Sequence, residues 1–76
     1  METYNQTIKI ATDYLGPAAE RFIARQVAAH LKKNPKDLTK EDLLKLTEWL
    51  RISISLLTED QKMVDECIGR IQSLAV

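Results

Sequence analysis

Apolar residues recur at helical spacing along nearly the whole chain. Tyr4, Ile8, Ala11 and Leu15 lie three or four positions apart, as do Ala19, Phe22, Ile23, Val27 and Leu31. Leu43, Leu46, Leu50, Ile54 and Leu57 repeat the pattern, and Val64, Cys67, Ile68, Ile71 and Ala75 repeat it again. Each set falls on one side of a helix with 3.6 residues per turn, which predicts amphipathic helices. Ile52-Ser53-Ile54-Ser55 alternates for four residues, as a strand would. The helical stripe around it is longer, so the segment is read as helix.

Punctuation divides the stripes. Gly16-Pro17 interrupts the chain once, and proline suits the first position of a new helix because it has no N–H to lose there. Pro35 disfavours helical geometry at Asn34, which places a second break. Thr39 and Thr58 each precede acidic residues and can accept a bond from an orphan first-turn N–H; Thr58 with Gln61 has the capping-box spacing. The expected elements are four helices, over about 4–15, 17–32, 40–57 and 59–74. Their apolar stripes predict an all-α class, a compact four-helix bundle forming one domain over 1–76. The corner at Thr58 is so short that angled packing is expected there, not an antiparallel hairpin.

Composition narrows the class without selecting a reaction. Seventy-six residues suffice for one small core. Eleven basic residues balance eleven acidic ones, which argues against binding DNA or an anionic membrane through net charge. The single cysteine, Cys67, allows no intramolecular disulfide, and the start of the chain lacks the apolar run of a signal peptide. No apolar run is long enough to span a bilayer. A cytoplasmic location is expected.

The candidate chemistry is thin. His30 is the single histidine and has no neighbouring nucleophile or further ligand in its segment. It is read as a residue suited to a helix C-terminus, and Cys67 as a small core hydrophobe. Glu41-Asp42, Glu59-Asp60 and Asp65-Glu66 are adjacent pairs, so their side chains diverge by about a hundred degrees on a helix and do not form an acid/base pair. Zinc, nucleotide and phosphate-loop motifs are absent from the sequence. No catalytic residue, cofactor, metal or small-molecule substrate is expected.

Two surface features remain. Residues 21–40 hold six basic groups against one acid, a net +5 that the rest of the chain offsets with −5. Arg21, Arg25, Lys32, Lys33 and Lys36 form a candidate basic face, with Arg21, Arg25 and Lys32 aligned by spacings of four and seven. The third helix carries Trp49, Ile52 and Leu56 along an arc beside its core stripe, and Leu44 nearly opposite. So wide an apolar face fits either a helix touching all the others or a surface for a partner or a second copy, where tryptophan is a favoured anchor.

The stretch Tyr14-Leu15-Gly16-Pro17-Ala18-Ala19-Glu20-Arg21-Phe22-Ile23-Ala24-Arg25 resembles a small helical domain at the C-termini of bacterial serine/threonine kinases and response-regulator-like signalling proteins. Gly16, Pro17 and Ala19 fill that domain's Val/Leu-Gly-Pro-x-Ala motif, Phe22, Ile23 and Arg25 the two apolar residues and the basic one that follow it, and Thr39 with Asp42 fills its later Ser/Thr-x-x-Glu/Asp helix start. Ala18 is smaller than the aliphatic residue often found there, and these residues include no kinase or receiver domain. The resemblance implies a non-enzymatic interaction or regulatory module without catalytic residues. The expected function is therefore protein interaction in bacterial signalling, through a protein partner or self-association. The alternative is a small nucleic-acid-binding regulator using segment 21–40, which neutral charge and the lack of interleaved aromatics disfavour.

Overall fold

A computed structural model describes residues 2–75. The chain runs through α1 (Glu2–Leu15), a 3-10 turn (Gly16–Ala18), α2 (Ala19–Gln26), a π-helical segment (Val27–Leu31), a second 3-10 turn (Pro35–Asp37), α3 (Lys40–Ser55) and α4 (Gln61–Ser73). No strand occurs among the described residues, so Ile52-Ser53-Ile54-Ser55 is helical. The Cα radius of gyration is 11.0 Å, close to the value of about 11 Å for a compact chain of this length.

The break after α1 has a backbone cause. Gly16 adopts φ +68°, a left-handed conformation that costs a residue with a Cβ about 1–2 kcal/mol and glycine almost nothing. Pro17 then opens the 3-10 turn with its fixed φ. The expected helix over 17–32 is corrected here, because it is not one regular α-helix. It tightens to 3-10 at its start and widens to a π-helix over Val27–Leu31. A widened turn rotates the following side chains out of α-helical register. Lys32, in the left-handed region at φ 53°, ends it.

The second 3-10 turn starts at Pro35, with the Asn34 side chain accepting the Lys36 N–H at 3.0 Å. Thr39 caps α3 as its spacing predicts. Its hydroxyl accepts the Asp42 N–H at 3.3 Å, and the Asp42 carboxylate accepts the Thr39 N–H at 3.0 Å, a reciprocal capping box. The start of α4 differs from expectation. Asp60, not Thr58, caps it by accepting the Met63 N–H at 3.1 Å, while Thr58 accepts the Asp60 N–H within the preceding turn. A carboxylate fills an N-cap at least as well as a hydroxyl and complements the helix dipole.

α3 stops at Ser55, two residues short of the expected end. Leu57 therefore leaves the core stripe and is 63% exposed. The connection comprises residues 56–60 and is long enough to reverse the chain. Gln72 donates to Thr47, Arg51 pairs with Asp65, and Gln61 donates to Ser55. Residue numbers rise along α3 as they fall along α4, so the two helices run antiparallel, contrary to the expected angled corner.

The core sits between these helices and the α1–α2 pair. Leu43, Leu46, Leu50 and Ile54 from α3 are fully buried with Val64, Cys67, Ile68 and Ile71 from α4. Tyr4, Ala11, Ala19, Ile23, Val27 and Leu38 complete it, while Ile8, Leu15, Phe22, Leu31 and Ala75 pack half-buried at its margin. Thr7 and Thr47 also lie inside; their hydroxyls donate to Thr3 O and Leu44 O, so neither leaves a buried polar group unsatisfied. Arg70 fastens α4 to α1, donating to the Asp13 carboxylate at 3.0 Å and to the Tyr14 hydroxyl at 3.2 Å.

Candidate interaction surface

α3 turns one apolar face to the core and another to solvent. At 100° per residue, Ile52 lies roughly opposite the mean direction of Leu43, Leu46, Leu50 and Ile54, with Trp49 and Leu56 on either turn beside it. Leu44 flanks this outer face. The sequence expectation of an arc beside the core stripe, with Leu44 opposite, is corrected accordingly. Leu44 is 62% exposed, Ile52 57%, Leu56 83% and Trp49 39%. These four side chains are therefore not explained by a helix packed on all sides.

Trp49 is the least exposed of the four because His30 covers one face of its indole. The rings stack with centroids 4.1 Å apart and planes inclined by 8°. The π-helical segment delivers His30, and α3 delivers Trp49. Aromatic stacking of this kind adds about 0.5–1.5 kcal/mol beyond the area buried. Nearby, the Ser53 hydroxyl donates to Gln26 Oε1 at 3.0 Å and joins α3 to α2. Sequence reasoning missed both contacts. A serine within an otherwise inward-facing stripe was a signal for the second; stacking between residues so far apart in sequence left none.

The candidate basic residues do not form one face. Arg21 and Arg25 are exposed one turn apart on α2. Lys32 lies beyond the π-helical segment in left-handed geometry, so the spacing that aligned it with Arg25 no longer holds. Lys33 is half-buried and donates to Asp42 at 2.7 Å. Lys36 lies in the second 3-10 turn, its backbone N–H held by Asn34. Burial pushes the Asp42 carboxyl up, but hydrogen bonds from Lys33 and Thr39, with the Lys33 charge, outweigh it and hold the group below its ordinary range.

Three of the carboxylates considered for chemistry do structural work. Asp42 and Asp60 cap helices, and Asp65 pairs with Arg51. Burial pushes the Cys67 thiol up, away from the reactive thiolate, and the nearby Arg70 charge only partly offsets this. The depression at the start of α2, lined by Pro17, Ala18, Glu20 and Arg21, brings no nucleophile to a base. Among the described residues no group of three His, Cys, Asp or Glu is placed to hold a metal ion. No helix among them is long and apolar enough to cross a membrane. No protein-family model, curated protein or solved structure matches the chain.

Proposed function

We propose that the chain is a non-catalytic protein-interaction module that docks a partner protein on the outer face of α3. One observation carries the reading: Leu44, Ile52 and Leu56 stand exposed beside a half-covered Trp49 on a helix whose opposite face already fills the core. Single exposed leucines are ordinary on protein surfaces, but several large apolar side chains on one helix face mark contact sites. The placement in bacterial signalling rests only on the resemblance carried by the Gly16-Pro17-x-Ala19 stretch, the residues after it and the Thr39–Asp42 helix start.

A photo-crosslinking residue in place of Ile52 tests the reading in cells that produce the chain. Adducts to protein are expected from that position and not from Lys62, which is exposed on α4 away from this face. Equal labelling at both positions, or none at either, removes the reading. The nucleic-acid alternative has less support, since Lys33 is committed to Asp42 and Lys32 does not continue the α2 face. It requires an affinity for nucleic acid that falls steeply with salt and is lost in Arg25→Glu.

A further inference from the structure

Resting on the interaction-module reading, we propose that residues 28–33 form a latch: they open from α3 while the rest of the fold stays closed, and so set how much of Trp49 a partner can reach. The segment hangs between two fixed points. On one side Val27 is fully buried, and Gln26 accepts from the Ser53 hydroxyl at 3.0 Å. On the other, Pro35 opens the second 3-10 turn, and Leu38 after it is buried. Between them, none of residues 28–33 is fully buried: Ala28, Ala29 and Lys32 are exposed, and His30, Leu31 and Lys33 are half-buried. A segment with so few buried apolar contacts opens at less free energy than the core needs to unfold.

The backbone favours opening as well. Lys32 holds φ 53° and ψ 42°, a left-handed conformation in which its Cβ crowds the following carbonyl oxygen. The chain keeps that strain for as long as the segment is closed. The turn before it, Val27–Leu31, is π-helical, a rare pattern that occurs chiefly as a local interruption of α-helices. Opening lets both relax. Against this, three side chains hold the segment shut. His30 stacks on the Trp49 indole at 4.1 Å, Lys33 donates to Asp42 at 2.7 Å, and Leu31 packs half-buried against the core. The His30 and Lys33 contacts flank Lys32 and both end on α3, so they break together when the segment swings away.

The consequence falls on Trp49. With the latch shut, the indole is 39% exposed and one ring face is taken by the imidazole. With it open, both ring faces are free, and the apolar surface beside Ile52 and Leu56 is larger. A partner that grips the indole on both faces binds the open form, and its apparent affinity scales with the open fraction.

Native-state hydrogen exchange on the intact chain reads the latch. Amides of residues 29–33 should exchange at least about tenfold faster, relative to their unstructured rates, than those of Leu46 and Leu50 in the core. Their rates should stay flat in low denaturant, because a local opening exposes little surface. His30→Ala removes the stack and should raise the open fraction about two- to tenfold, whereas His30→Phe should return it to the native value. Lys32→Gly relieves the left-handed residue and should lower the open fraction about two- to fivefold. Exchange of the segment only together with the core, or rates unmoved by both variants, overturns the latch. A photo-crosslinking residue in place of Ile52 then reads its role: adducts should increase in His30→Ala and decrease in Lys32→Gly. If exchange shows the latch moving while adducts stay constant, its control of docking is overturned and the interaction-module reading stands. With no adducts in any variant, that reading fails and the control fails with it.

Discussion

The two faces of α3 are built from the same residue types and meet opposite environments. Leu43, Leu46, Leu50 and Ile54 are fully buried, whereas Leu44, Ile52 and Leu56 are more than half exposed. Hydropathy cannot separate the sets; direction around the helix does. The inner residues recur at three and four positions and meet α4, whose own stripe runs antiparallel to them. The outer residues remain largely in solvent, with His30 stacked on Trp49. One face is fixed by folding and the other stands largely exposed.

The largest expected effect breaks the inner face. Leu50→Ala should lose about 2–5 kcal/mol, the range for truncating a fully buried leucine that leaves a cavity. A chain of this size has roughly 4–11 kcal/mol of stability in total, so chemical denaturation should show a midpoint displaced by a large fraction. A loss under 1 kcal/mol would mean that α3 is not central to the core.

How far these faces are legible in the sequence follows from the same geometry. The inner stripe, the break at Gly16 and the Thr39 cap each leave a local signature: spacing, a residue that tolerates positive φ, and a hydroxyl three positions before an acid. Leu57 continues the spacing of the core stripe, so periodicity alone cannot reveal that the helix has already ended. The π-helical segment contains neither glycine nor proline, and Lys32 is a poor marker for left-handed backbone. Neither leaves a local signature, and the segment's contact with α3, the stack of His30 on Trp49, joins residues far apart in sequence. The exposed residues were legible as an over-wide apolar face, but their direction relative to the core required the position of α4. The basic residues were legible as a cluster, yet the widened turn and the Lys33–Asp42 pair disperse them.

A smaller effect tests the frame shared by both faces, the start of α3. Thr39→Ala removes the acceptor for the Asp42 N–H and should cost about 1 kcal/mol. Acid should act on the same corner. The Asp42 carboxyl is held below its ordinary value of 3.8 in the folded chain, so the stability it contributes is present above that value. It is lost as pH falls through the lower folded-state value. Thermal unfolding followed from pH 7 downward should show this acid-dependent loss reduced in Asp42→Asn, which starts less stable at neutral pH. Identical pH dependence in the two proteins would remove the capping corner from the account.

The boundary between the faces is the stack on Trp49, and His30→Ala opens it. The stacking contributes about 0.5–1.5 kcal/mol beyond area, and at a partly exposed site the lower part of that range is expected. Trp49 is the single tryptophan, so its fluorescence reports the change without ambiguity. Emission should shift to the red as the second ring face meets water. His30→Phe should preserve stacking and restore the shorter-wavelength emission. If His30→Ala leaves the spectrum unchanged, the indole is not covered by the π-helical segment in solution.

The smallest effect sharpens the comparison most. Ile52→Ala removes as many methylene and methyl groups as many core truncations do, but from a side chain that is 57% exposed. It leaves no enclosed cavity, and the half of its surface already in water gains nothing from folding. At concentrations low enough to keep copies apart, its cost should stay within about 0.5 kcal/mol, the range for surface changes. Measured beside Leu50→Ala by the same denaturation, it separates direction from hydropathy as the cause of stability. A loss comparable with Leu50→Ala would place Ile52 inside the folded unit and dissolve the distinction between the two faces.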